Sequence, residues 1–234
     1  VSASVQWVHA TSADELNAAV LRDVSAVITD AVRLRGNAVV AFPGGNTPLP
    51  ILAALAEAPL PWSQVTVLPS DDRLVPLSSP LSNVAMLTRL FAPLGARVMA
   101  FGEDGADYRR SGREADAALQ QLSWPLDLVW LGMGGDGHTA SIFVGPDLET
   151  ALQPALGVRA VGVRPDPLPP EAPVNRVTLT APAIAAARRT ILLISGVQKQ
   201  QLLERALAEG AASAFPIGRV LAHTSGAVVY SLGG

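Results

Sequence analysis

The sequence predicts an α/β fold built on a largely parallel sheet. Three observations carry that expectation. Short β-rich runs alternate with alanine- and leucine-rich stretches long enough for helices. Glycine-rich turns follow several of the strand-like runs. Of the 234 residues 49% are hydrophobic, which is ample material for a large core. A single globular domain over residues 1–234 is the expectation.

The elements follow in chain order. A strand-like run at 5–9 leads to apolar residues at helical spacing over 13–34, with Ser12 placed to cap that helix. Residues 38–42 form an unbroken apolar run of the buried-strand type, followed by a glycine turn and a helix over 48–57 with Pro48 in its first turn, where a missing amide costs nothing. A strand at 64–68 ends in two carboxylates and an arginine; Ser82 then opens a helix over 82–91. A strand at 97–101, a helix over 107–122 and a strand at 126–131 come next, the last running into a second glycine-rich loop. Strands at 158–163 and 176–180 flank residues 164–173, where five prolines rule out a helix or an inner strand and leave an extended surface loop. A strand at 190–195, a helix over 197–209 and a strand at 227–232 complete the series.

Composition excludes several classes of function. A formal charge of −3 and a pI near 5.6 do not provide the basic face that nucleic-acid backbones require. No apolar run approaches the ~18 residues of a membrane span, and the first residues lack the basic-then-apolar order of a signal peptide. With no cysteine there is no disulfide, thiolate zinc site or iron–sulfur cluster, so a cytoplasmic protein is expected. Three scattered histidines lack metal-type spacing, so neither metal nor cofactor is expected. An anionic ligand would need a local basic pocket. The basic residues are sixteen arginines and one lysine, Lys199, which singles out that lysine.

Four segments carry chemistry. In the first, Gly44, Gly45, Asn46 and Thr47 join a buried-type strand to a helix N-terminus, an arrangement that can cradle phosphate through free amides and the helix dipole. The glycine pair taken alone is better explained by a tight turn. In the second, Asp71, Asp72 and Arg73 follow a strand, at the end where open α/β sheets bind ligands. Consecutive extended residues face opposite ways, so the two aspartates should serve different roles, and a solvated Asp–Arg ion pair explains this segment as well as a site does. The third is the loop from Gly132 to Ser141. Its formal G-x-G-x-x-G lacks the helix and distant acid of a dinucleotide site, since Gly145-Pro146 interrupts. Instead, Asp136 and His138 flank a glycine, offering a carboxylate that can orient an imidazole able to move a proton near neutral pH. In the fourth, Lys199 falls in the first turn of a helix, where a cation opposes the helix dipole unless an anion binds there.

Together these segments resemble the 6-phosphogluconolactonase family, over nearly the whole chain. Gly-Met-Gly-Gly-Asp-Gly-His-Thr-Ala-Ser-Ile-Phe, from Gly132 to Phe143, is similar to the family motif G-x-G-x-D-G-H-T-A-S-L-F. Asp71-Asp-Arg-Leu-Val-Pro76 with Ser82-Asn83 is similar to D-E-R-x-V-P followed by S-N, and Arg176-Val-Thr-Leu-Thr180 and Gly196-x-x-Lys199 fall in family order. Two departures from the pattern matter: Pro43-Gly-Gly-Asn-Thr-Pro48 stands where the family has S-G-G-S-T-P, so that Pro43 and Asn46 replace serines, and Asp72 stands where it has glutamate. Thr139-Ala-Ser and Arg73 point away from the deaminase branch of the same fold.

The resemblance implies a three-layer α/β/α fold with a modified Rossmann-like sheet, as in ribose-5-phosphate isomerases and glucosamine-6-phosphate deaminases. It also implies hydrolysis of 6-phospho-D-glucono-1,5-lactone in the oxidative pentose phosphate pathway. On that reading His138, Asp136 and Asp71 are catalytic. Gly44, Gly45, Asn46, Thr47, Arg73, Arg176 and Lys199 bind the phosphosugar. The partner is a small-molecule phosphosugar lactone rather than nucleic acid or membrane, and the protein is a monomer or small homo-oligomer. The alternatives are a phosphosugar isomerase or deaminase of the same fold, and a non-catalytic phosphosugar sensor, which would have no need of His138.

Overall fold

The computed structural model describes residues 5–102 and 105–233. In chain order the elements are β1 (Val5–Ala10), α1 (Ala13–Arg35), β2 (Ala38–Phe42), α2 (Leu49–Glu57), β3 (Val65–Pro69), β4 (Asp71–Arg73), α3 (Asn83–Phe91), β5 (Arg97–Val98) and α4 (Tyr108–Leu119). They continue with β6 (Leu128–Leu131), α5 (Leu148–Leu152), β7 (Ala160–Val163), β8 (Arg176–Leu179), α6 (Ala181–Ala185), β9 (Thr190–Ser195), α7 (Val197–Glu209), α8 (Pro216–Leu221) and β10 (Ala227–Leu232). None of the described helices is long and apolar enough to cross a membrane.

The main sheet has seven strands in the order β1-β10-β9-β6-β2-β3-β5, every neighbouring pair parallel. Successive strand residues point to opposite faces, and the core divides accordingly. Val40, Phe42, Leu128, Trp130, Ile191 and Val228 pack toward α1, α2 and α3. Val39, Ala41, Val129, Leu131, Leu192 and Val229 pack toward α4, α6, α7 and α8. The mostly parallel sheet between helical layers is the α/β architecture expected from the sequence.

Local chemistry accounts for the element ends. Ser12 accepts a hydrogen bond from the Glu15 amide at the start of α1, whose buried residues Leu16, Val20, Val24, Ile28 and Ala31 form one stripe. Ser82 caps α3 by accepting from the Ala85 amide.

The structure departs from the expected elements in three respects. The strands at 158–163 and 176–180 are shorter than expected and stay outside the main sheet. As β7 and β8 they form a second, antiparallel sheet of order β4-β8-β7, whose third member is the Asp71-Asp-Arg segment, read from the sequence only as the end of the preceding strand or a loop after it. The strand expected over 97–101 is paired only at Arg97–Val98, on the sheet edge. Helices α5, α6 and α8, of five or six residues, are too short to show helical periodicity in the sequence. Residues 164–173 remain outside helices and strands.

At the N-terminal ends of β2 and β6 the strands are locked together by Asp127. Its buried carboxylate accepts from the Val39 amide at 2.8 Å and from Arg35 at 2.5 Å, with Arg188 at 3.5 Å, while its own amide donates to Val39 O. Asp127→Ala would leave a buried amide unsatisfied and remove the anion facing two arginines. The expected loss is ~2–4 kcal/mol of unfolding free energy. Urea denaturation should show a lower midpoint with an unchanged slope; an unchanged midpoint would remove this clamp from the account.

Candidate active site

The opposite, C-terminal ends of β2, β3, β6 and β9 open on a cleft of about 220 Å³. Parallel strands bring their following loops to this one edge, where side chains and free amides can converge. Nine of the ten residues singled out from the sequence line it: Gly44, Gly45, Asn46 and Thr47 from the loop after β2, Asp71 and Arg73 from β4, then His138, Arg176 and Lys199. The tenth, Asp136, lies behind His138 and faces a neighbouring cavity of about 350 Å³ under the proline-rich loop.

The loop after β6 folds back on itself through hydrogen bonds from the Gly134 amide to His138 O (2.9 Å) and from the Gly137 amide to Gly134 O (3.1 Å). Asp136 Oδ1 then lies 2.6 Å from His138 Nδ1 and accepts the His138 amide at 3.2 Å. A side chain on Gly134 would put its Cβ 2.2 Å from the imidazole, so the fold-back requires glycine there. The hydrogen bond with His138 holds the Asp136 carboxyl down at about 2, against the upward push of burial. An ionised Asp136 sets the tautomer with the proton on Nδ1 and leaves Nε2 as the basic nitrogen. The Phe143 ring lies tilted against the His138 ring with centroids 4.2 Å apart, and the Arg176 guanidinium lies over the same Phe143 ring 5.2 Å from its centroid, so one aromatic ring contacts both the imidazole and the arginine.

The second sheet resolves the two aspartates. β4 runs antiparallel to β8 with Asp71 opposite Thr178, Asp72 opposite Val177 and Arg73 opposite Arg176. Asp71 and Arg73 line the cleft, and Asp72 points the other way. Asp72 is a structural anchor for α3: its carboxylate accepts from the amides of Asn83 (2.7 Å), Arg73 (2.9 Å) and Val84 (3.4 Å) and from Ser82 Oγ. Burial pushes its carboxyl up to about 6 despite those donors.

The register places Arg73 and Arg176 side by side. Arg176 is 3% exposed, its Nε and that of Arg73 are buried without a protein partner, and burial lowers its basicity. A buried and a half-buried guanidinium, each with an unmet Nε donor, favour an anion in the cleft. Lys199 adds a third cation from the first turn of α7, as the sequence placed it, and donates to Met133 O at 2.7 Å, a partner the sequence could not reveal.

Among the other lining residues, Asn83, which the sequence offered only within the matched Ser82-Asn83 pair, and Glu171 were given no role from the sequence. Asn83 donates to Asp71 O (2.7 Å) and accepts from Arg73 (3.0 Å); a Cβ on Gly44 would fall 1.9 Å from its Oδ1, so the loop after β2 packs directly on it. The conjunction of Gly44 and Asn83 could not be found by spacing along the chain. Glu171 reaches the cleft from the proline-rich loop and exerts its charge on Arg176. Its segment reads only as surface because nothing local shows that it bends toward the sheet. Among the described residues, no group of three or more histidines and carboxylates is placed to hold a metal ion.

Residues 11–230 match the family of glucosamine-6-phosphate isomerases/6-phosphogluconolactonase. A 6-phosphogluconolactonase of Mesorhizobium japonicum is 36% identical over 217 residues, covering 89% of this chain and 87% of its own, and one of Pseudomonas aeruginosa is 35% identical over 84% and 83%. The crystal structure of a 6-phosphogluconolactonase from Shewanella baltica superposes with a TM-score of 0.88 at 27% identity, covering 99% and 98% of the two chains. The structure of the Trypanosoma brucei 6-phosphogluconolactonase superposes with a TM-score of 0.85 at 26% identity, covering 99% and 97%.

The Asp72 anchor makes a pH prediction. Its folded-state value of about 6 lies above the 3.8 of a free carboxyl, so the folded protein keeps this proton to higher pH than the unfolded chain. The contribution of Asp72 to stability is therefore greatest below pH 4, falls as pH rises from about 4 to 6, and is constant above, by an amount on the order of 3 kcal/mol. Urea midpoints of the parent and Asp72→Asn proteins between pH 4 and 7 should converge or cross over that window. A difference independent of pH would refute the raised carboxyl.

Proposed function

The chain belongs to the glucosamine-6-phosphate isomerase/6-phosphogluconolactonase family, and from that membership we propose that it is a lactonase hydrolysing 6-phospho-D-glucono-1,5-lactone to 6-phospho-D-gluconate. The observation that carries the reading is one cleft holding both the His138–Asp136 pair and the Arg73–Arg176 pair with its unmet donors. The first can move a proton and the second can hold a phosphate. Arg73 and the Thr139-Ala-Ser sequence favour the lactonase over the deaminase branch. The reaction belongs to the oxidative pentose phosphate pathway, and the absence of cysteine accords with a cytoplasmic protein.

On this reading Arg73, Arg176 and Lys199, with the loop Gly44, Gly45, Asn46 and Thr47, bind the phosphate and leave the lactone carbonyl facing His138. Nε2 takes a proton from water as the water oxygen bonds to the carbonyl carbon. Asp136 keeps the other ring proton in place and stabilises the imidazolium. Amides of the glycine-rich loop are the available donors for the oxyanion. As the tetrahedral intermediate collapses, the bond to the ring oxygen breaks and His138 returns the proton to that oxygen, giving the open-chain hydroxy acid. Asp71 accepts a hydrogen bond from the attacking water or a sugar hydroxyl.

The test is to add purified protein to freshly made lactone and follow acid release. Hydrolysis should run well above the spontaneous rate, and His138→Ala should lower kcat by roughly 10²–10⁴-fold with a smaller change in KM. No acceleration by the parent protein would reject the lactonase reading. A properly folded, fully active His138→Ala protein would move the acid–base role elsewhere.

Lys199→Met keeps most of the apolar stem and deletes the ammonium. A charge-assisted bond to phosphate contributes about 1.5–3 kcal/mol, so the dissociation constant of 6-phosphogluconate should rise roughly ten- to 150-fold. Loss of the bond to Met133 O should lower the melting temperature slightly. Unaltered affinity would leave phosphate binding to the two arginines alone.

A further inference from the structure

We infer that Ser141 is a positioning residue which fixes Asp71 and ties it to the loop that carries His138. The inference rests on the lactonase reading above and extends it to a residue to which that mechanism gives no part.

Ser141 is fully buried, and its hydroxyl donates to Asp71 Oδ2 at 2.5 Å, the length of a strong bond from a hydroxyl to a carboxylate. Ser70 Oγ reaches the other oxygen, Asp71 Oδ1, at a longer 3.2 Å. The Ser141 amide donates to Thr178 Oγ1 at 3.2 Å, and the Thr178 hydroxyl donates onward to Leu179 O. Thr178 and Asp71 are cross-strand partners in the β4–β8 pair. One serine therefore hooks the loop to both members of that pair, through its hydroxyl on one strand and its amide on the other.

The backbone supplies a second, independent observation. Ala140, the residue between Thr139 and Ser141, has φ +47, the only non-glycine residue described with a positive φ. The left-handed region is unfavourable for alanine and persists where surrounding contacts impose it. Here the turn closes through a hydrogen bond from the Ile142 amide to Thr139 O, and its product is the inward turn of Ser141 toward Asp71. Ala140 itself lines the cleft. His138 stands three residues before Ser141, so this turn sets the separation between the imidazole, mounted on the loop after β6, and the carboxylate, mounted on β4.

Serine is the residue type this position needs. Alanine would fit the space but leave the carboxylate held only by the longer bond from Ser70 and drawn toward Arg176, which feels its charge. A larger donor has no room at a residue with no exposed surface.

The experiment is a double-mutant cycle on lactone hydrolysis with Ser141→Ala, Asp71→Asn and the combined protein, melting temperatures being measured in parallel. If Ser141 acts through Asp71, Ser141→Ala should lower kcat/KM about tenfold or more in the parent, the scale of a bond to a charged group, and less than about twofold in the Asp71→Asn protein. A merely structural serine would lower kcat/KM by the same factor in both backgrounds, and that result would overturn the inference. So would an Asp71→Asn protein as active as the parent. Ser141→Cys keeps the volume with a weaker donor and should fall between serine and alanine; it takes the place of alanine in the cycle if the alanine protein does not fold. A parent protein without lactonase activity would reject the functional reading, and this inference with it; additive losses in an active parent would reject the inference alone.

Discussion

The cleft depends on the antiparallel pairing of the three-residue strand β4 with β8, which brings Arg73 opposite Arg176 and Asp71 opposite Thr178 across about a hundred residues of chain. A one-residue slip would turn Asp72 into the cleft and Asp71 toward α3, because strand side chains alternate. The register is held on the far side by Asp72, whose carboxylate gathers the amides at the start of α3. It is held on the near side by Asn83, which bonds the Asp71 carbonyl and the Arg73 guanidinium together. Asp72 thus serves the site without facing it.

The main sheet supplies rigidity and the loops supply chemistry. Strands β2 and β6 are neighbours, buried along their whole length and clamped at their N-terminal ends by Asp127. The glycine-rich loops that follow them are thereby mounted on backbone with little freedom to shift. Fixed mounting lets close approaches be exploited: Gly44 packs on Asn83, and Gly134 lies beneath the His138 ring. Both contacts would be lost with any larger side chain.

Charge at the cleft is deliberately unbalanced. Arg73, Arg176 and Lys199 face Asp71 and Glu171, and both arginines have buried donors that no protein atom meets. Burying cations this way costs stability, which a bound dianion would offset by filling the unmet donors. The same field suits the proposed reaction, because its excess of cations attracts a phosphate while the lactone ring to be opened is neutral. The positive φ of Ala140 is a second local cost borne at the same place.

The sequence by itself determined whatever depends on neighbours along the chain. The alternation of apolar runs and helical stretches, the serine caps of α1 and α3, the glycine turns after β2 and β6, and Lys199 in the first turn of α7 all follow from local periodicity and backbone chemistry. So does the 2.6 Å contact of Asp136 and His138, two residues apart in a loop that glycine allows to fold back. The split of Asp71 from Asp72 was legible through strand alternation; the choice of Asp71 came from the family resemblance, and the tertiary structure puts Asp71 on the cleft. Only the tertiary structure decided that β4 is a strand, that β7 and β8 leave the main sheet to join it, and that Glu171 returns to the cleft from a proline-rich loop. It alone brought Ser141 onto Asp71, 70 positions away. Contacts of that range are selected by which faces can be buried together and which polar groups can then be satisfied, and neither condition is written in the spacing of a single segment.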